Sequence, residues 1–160
     1  MVMEKLIRMA AERGINVEDL IISAIRNVSN DPTEVIRLRL ELAKAYLSEA
    51  KEYVSRGDAI QASERAHRAA ENIVKALAEK YNTLEYQQAI KESRWHIHLL
   101  IKAVTTLSNK LGRWMLIGWA SAFLLYDMGF HEAKLTVDAI TSYIDEVKKM
   151  VGEAEKVLMH

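Results

Sequence analysis

The chain has 160 residues, half of them apolar and 28% charged, with 22 basic and 22 acidic side chains and no net formal charge. That length fits one ordinary domain with enough apolar material for a core. The balanced charge excludes the global basic excess of a dedicated nucleic-acid binder, so any phosphate-binding surface must be a local patch. The absence of cysteine excludes disulfides, thiolate zinc sites and a cysteine nucleophile, and it accords with a cytoplasmic setting.

The N-terminus, Met1-Val2-Met3-Glu4-Lys5, meets an acid at once and has no long apolar run, so no signal peptide is expected. Two short helices follow. Gly14 stops the first, and Asn16 caps the second, which runs to about Val28 with Leu20, Ile21, Ala24 and Ile25 as its apolar stripe. Asp31-Pro32-Thr33-Glu34 is the clearest start signal: an N-cap, a proline at the first helical position and an acid three residues after the cap. The long helix that follows carries Ile36, Leu40, Ala43, Leu47, Ala50 and Val54 at alternating steps of four and three, and Gly57 ends it.

Asp58 caps the next helix, whose seam of Ala59, Ala62, Ala66, Ala69, Ile73 and Ala76 lets a neighbouring backbone come close. The short turn between the two long helices predicts an antiparallel pair. Asn82-Thr83 marks a break, and a further helical stretch reaches about Leu111 with an interruption near Ser93. After Gly112 comes the longest uncharged run, Trp114 to Tyr126, too short for the ~20 residues of a spanning helix and so a buried or subunit-contact helix. Gly129 reads as the last internal break. The final helix is expected from about His131 to Leu158, with Val137, Ile140, Ile144, Val147, Val151, Ala154 and Leu158 in a coiled-coil-like seam that fits packing within the bundle or against a second subunit. Sustained period-two alternation and Asn-Gly turns are missing, so the fold class is all-α. Residues 1–30 are expected to form a short helical extension and residues 31–160 the bundle domain.

The segment Gly57-Asp58-Ala59-Ile60-Gln61-Ala62-Ser63-Glu64-Arg65, followed by Ala69-Ala70-Glu71-Asn72-Ile73-Val74-Lys75-Ala76-Leu77-Ala78, resembles the archaeal PaREP family and, through it, the HEPN superfamily (higher eukaryotes and prokaryotes nucleotide-binding). Asp31-Pro32 upstream, and Trp119-Ala120 and Gly129-Phe130-His131-Glu132 downstream, extend the likeness over most of the chain. The resemblance implies an up-and-down bundle of four to five helices, often dimeric, from a thermophilic archaeon. It brings no settled activity, since related HEPN domains include metal-independent RNases and nonenzymatic partners of small nucleotidyltransferases.

The RNases of that superfamily use an Arg, four to six residues, then a His. After Arg113 the next histidine is His131, too distant for the pattern. Arg94 and His98 come nearest, sharing a helical face with three residues between them, and His131 is the other candidate acid–base group. Arg65, His67, Arg68, Asn72 and Lys75 lie on the second long helix, and Arg65, Arg68, Lys75, Arg94 and His96 are the candidates for nucleotide or RNA contact. The four-residue pairs Glu64–Arg68 and Glu71–Lys75 favour a plain solvated face there, each pair adding roughly 0.2–0.5 kcal/mol to the helix. His96 and His98, two apart, would point to opposite sides of an unbroken helix, so no metal site is expected. Trp95, Trp114 and Trp119 are read as core or interface before base-stacking platforms. No phosphate loop, nucleophile elbow or His-Glu-x-x-His occurs, and neither Ser63 nor Ser121 has a base at a recognisable spacing.

The function expected from this sequence is a nonenzymatic helical interaction module. It needs no cofactor, is homodimeric through the 114–126 helix or the last seam, and acts beside a nucleotidyltransferase or RNA. The alternative is a divergent metal-independent RNase.

Overall fold

A computed structural model of the chain describes residues 1–159. They form α1 (Val2–Glu12), α2 (Val17–Val28), α3 (Pro32–Ser55), α4 (Ala59–Lys80), α5 (Leu84–Glu92), α6 (Ile97–Leu111), α7 (Arg113–Leu124), a π-helical segment (Leu125–His131) and α8 (Val137–Leu158). No strand occurs among the described residues. No described helix is long and apolar enough to cross a membrane.

The sequence signals act where the chain places them. The Asp31 carboxylate accepts from the Thr33 amide at 2.9 Å and from the Thr33 hydroxyl at 2.7 Å, with Pro32 opening α3. Asp58 Oδ1 accepts from the Gln61 amide at 3.0 Å and caps α4. Between these helices Gly57 takes φ +75°, a left-handed conformation that glycine enters without steric cost. The Gly57 amide donates to Val54 O at 3.0 Å and the Asp58 amide to Tyr53 O at 2.9 Å, the paired bonds of a Schellman stop. Helices α3 and α4 consequently turn back on each other and pack along their length.

Helix α4 is the axis of the molecule. Ala62, Ala66, Ala69, Ala70, Ile73, Ala76 and Leu77 have no exposed surface, because α3, α6, α7, the π-helical segment and α8 all pack on it. The small residues of the predicted seam allow this crowding on several sides. The seam of α8, from Ile140 through Ala154, is buried within the chain against α7, α4 and α3, so of the two packings its spacing allows, the internal one is realised. Gly118 of α7 meets Met150 of α8 so closely that an added Cβ would lie 2.6 Å from Met150 Cβ.

Two boundaries and one apolar stripe differ from the sequence reading. Gly129 does not break the chain: the helical path widens into the π-helical segment and runs through it to His131. The last helix starts at Val137, not at His131, because Thr136 supplies the cap and Ala133 takes φ +53° in the connection. The α2 stripe is turned. Leu20 and Ile21 are exposed and Ile22 is the buried residue, because polar groups of α2 are drawn inward. Helix α1 has no buried residue at all.

Candidate functional site

Within α4, His67, Glu71 and Lys75 recur every four residues and so stand on one face. That face looks into a cavity of about 850 Å³. Arg39 of α3, Asp19 of α2 and Tyr126 of the π-helical segment complete its charged end. The face was read from sequence as solvated, and that reading fails. His67, Asn72 and Lys75 are buried at 3, 4 and 4% exposure, because α2 and the π-helical segment cover them.

Burial of charge requires partners, and these are present. Lys75 Nζ donates to Asp19 Oδ2 at 2.9 Å and to Oδ1 at 3.1 Å, and lies 3.4 Å from Glu71 Oε2. Arg39 Nη2 lies 2.8 Å from Asp19 Oδ1, and Arg39 Nη1 donates to Asn72 Oδ1 at 3.1 Å. Asn72 Nδ2 in turn donates to the Arg68 carbonyl at 3.0 Å. Burial pushes the Asp19 carboxyl up, but Lys75 and Arg39 together outweigh it and hold the group below the ordinary carboxylate value.

His67 is the second element of the site. Burial lowers its basicity, and Glu71 and Glu64 only partly oppose that effect. The ring is therefore neutral near pH 7. Its Nδ1 lies 3.3 Å from Glu71 Oε1. Nε2 has no partner, and neither has Arg39 Nε. The His67 ring stacks on Tyr126 with centroids 4.1 Å apart, and Tyr126 meets His131 edge-on at 4.4 Å. Tyr126 and His131 are five residues apart. The π-helical turn puts them on one face, as an α-turn would not. An alanine Cβ at Gly129 would lie 2.2 Å from Ser63 Oγ, so the bare glycine is what lets this segment sit against α4.

The candidates from sequence divide into three groups. Lys75, Arg94 and His131 line the cavity, with Trp95 beside them. Arg65 and Arg68 do not; both pair with Glu64 and lie over the Tyr53 and Tyr46 rings at 5.5 Å each. His96 and His98 stack on each other at 5.4 Å. They can do so because α6 begins only at Ile97 and leaves His96 in extended backbone at its cap, which corrects the expectation that they diverge. Arg94 precedes that cap while His98 lies inside the helix, so the two do not share one helical face. Among the described residues, no group of three His, Asp or Glu side chains could hold a metal ion. Trp119 is core at 5% exposure, and Trp114 Nε1 donates to Leu111 O at 3.1 Å.

Asp19, Arg39 and Tyr126 were not singled out from sequence, and Glu71 was read only as a helix pair with Lys75. Arg39 had a readable signal: it stands four residues after Val35 and four before Ala43, on the buried side of α3. The others had none, since their role depends on how α2 and the π-helical segment dock.

Comparison with known proteins agrees with this core. The model of the archaeal PaREP1/PaREP8 family matches residues 38–151. A crystal structure of a protein from Sulfolobus solfataricus is similar at 34% identity and a TM-score of 0.67, covering 72% of this chain and 95% of that one. A solution structure of a protein described as Orf c02003 is similar at 33% identity and a TM-score of 0.65, covering 74% of this chain and 92% of that one. Among curated proteins, nothing matches.

Proposed function

The chain belongs to the archaeal PaREP1/PaREP8 family, and from that premise we propose that it is a nonenzymatic, HEPN-like binding module whose ligand site is the cavity beside α4. The observation that carries this reading is the combination of a roomy cavity with two buried, unpartnered polar atoms at its charged end, Arg39 Nε and His67 Nε2. Buried polar atoms in native proteins are almost always satisfied, and a bound molecule would satisfy these two. The charges around them are already neutralised by one another, an arrangement suited to holding a ligand more than to transferring its protons. Residues 31–160 form the bundle in this reading and residues 1–30 an extension that borders the site. The wild-type chain should show a melting temperature raised by at least one of a panel of small polar and aromatic metabolites, with the rise abolished in His67→Phe. A panel that never moves the transition sinks the cavity reading.

The module acts as a homodimer and as a partner of a nucleotidyltransferase or RNA. Leu116, Ile117 and Phe123 of α7 remain 38–44% exposed, a stripe that a second copy would cover. Light scattering at micromolar concentration should give a dimer, reverting to monomer in Leu116→Asp; a wild-type monomer refutes this part.

The RNase alternative gains support from Arg94 and His131 lining the same cavity. Labelled single-stranded RNA in EDTA distinguishes the two. No cleavage is expected from wild type. Cleavage that disappears in Arg94→Ala, His98→Ala or His131→Ala would establish the enzyme.

A further inference from the structure

Asp19 is an unusual member of the charged cluster. Arg39 and Lys75, 3 and 4% exposed, belong to α3 and α4, inside the residues that the family model matches. The carboxylate bonded to both comes from α2, outside those residues. Without it, the bundle would keep two buried cations against one nearby carboxylate, Glu71, an arrangement that low-dielectric surroundings penalise heavily.

Helix α2 buries little apolar surface. Ile22 is its one fully buried residue, while Leu20 and Ile21 are 60 and 54% exposed. Its anchors are polar. Arg26 donates to Glu79 at 2.6 and 2.9 Å, a bidentate, part-buried pair, and the Tyr46 hydroxyl donates to Glu18 at 2.9 Å. The contact of α2 with the most buried cations is the docking of the Asp19 carboxylate between Arg39 and Lys75.

That docking is also incomplete. Asp19 engages Arg39 through Nη2 alone, and Arg39 Nε, on the same guanidinium fork, stays unpaired. A guanidinium presents Nε and Nη together to an oxyanion in its bidentate mode. An anion free of the α2 backbone could adopt it.

We propose that Arg39 and Lys75 form an oxyanion site of the bundle and that Asp19 occupies it as an internal stand-in, so that the phosphate or carboxylate group of a ligand enters by displacing α2. This rests on the reading of the cavity as a ligand site and adds to it the ligand's chemistry and a means of regulation. A carboxylate ligand would conserve the charge of the exchange, and a phosphate group, at about −1.5 to −2 near pH 7, would add negative charge between the two cations.

The test uses the full chain. Asp19→Asn keeps the side-chain shape and removes the competing charge. Calorimetry with inorganic phosphate should show binding at least tenfold tighter to Asp19→Asn than to wild type, and the gain should vanish in Asp19→Asn/Lys75→Met. Acetate provides the second arm. Equal gains for both anions identify a general oxyanion site, and a gain for phosphate alone identifies a phosphate group as the ligand's handle. In wild type, phosphate should raise hydrogen exchange of the α2 amides relative to sodium chloride at equal ionic strength, with α3 to α8 unchanged. If Asp19→Asn fails to fold, this exchange measurement decides by itself. No gain in the variant, or no change in α2 exchange where the variant cannot be made, overturns the proposal. An uncharged metabolite that still shifts the wild-type melting temperature would leave the cavity reading standing, so the two failures are separable.

Discussion

Replacing Gly129 by alanine tests how the π-helical segment is seated. The new Cβ would lie 2.2 Å from Ser63 Oγ and 2.7 Å from Ser63 Cβ. Rotating the hydroxyl relieves the first contact and leaves the second, so backbone must move. Carbon–carbon contacts are comfortable at about 3.5 Å or more, so the segment and α4 must separate by roughly 1 Å. Overpacking of this size costs about 1–3 kcal/mol. For a chain of this length that corresponds to a fall of about 2–12 °C in melting temperature, at roughly 2–4 °C per kcal/mol. The same shift would pull Tyr126 from its stack on His67. Thermal and denaturant unfolding followed by circular dichroism would measure the loss. Ser63→Gly should restore part of it, despite a cost of about 1 kcal/mol for glycine within a helix, giving a double-mutant coupling of order 1–2 kcal/mol. A Gly129→Ala protein within about 0.5 kcal/mol of wild type, the range of an ordinary surface change, would refute the packing argument.

Acid should destabilise the protein in two stages. His67 is less basic folded than unfolded, so the stability it contributes is complete above the unfolded value near 6.5 and is lost as pH falls from there through its folded value. His67→Phe should flatten that stage in melting curves taken between pH 7 and 5. Asp19 is more acidic folded than unfolded, so its contribution is intact above about 3.9 and declines as pH falls through its lowered value. That second stage should be missing from Asp19→Asn. Gly118→Ala, which would press a Cβ to 2.6 Å from Met150 Cβ, should cost about 1–3 kcal/mol in the same unfolding assay. Asp58→Ala leaves the Gln61 amide without its cap and should cost about 1 kcal/mol, measurable by urea titration.

The long helices were legible because their signals are local. Asp31-Pro32 opens α3, Asp58 opens α4, and the alanine seam from Ala62 to Ala76 and the α8 seam from Ile140 to Ala154 are buried, with Ala59, Val137 and Leu158 half-buried at their ends. The site was legible only in fragments. Lys75, Arg94 and His131 were singled out, but from sequence Glu71–Lys75 looks like any surface pair. Whether a pair four apart faces water or a cavity depends on what docks over it. The π-helical turn was hidden for a different reason. A single glycine in an apolar run reads as a break, and only the close approach of Ser63 shows that Gly129 serves packing instead. In α2, Leu20 and Ile21 of the expected apolar stripe are exposed, while Asp19 is docked between Arg39 and Lys75.

The tight stop at Gly57 has a further consequence, in time. It joins α3 and α4 through Arg56, Gly57 and Asp58 alone, so the contacts nearest the turn are short in sequence separation. Closing so small a loop carries little entropic cost and takes nanoseconds, and chains rich in such local contacts fold fast. The α3–α4 hairpin is therefore the natural nucleus, onto which α7 and α8 condense later. Damage at Gly57 should slow folding, whereas damage at the docked edge of α2 should mainly hasten unfolding.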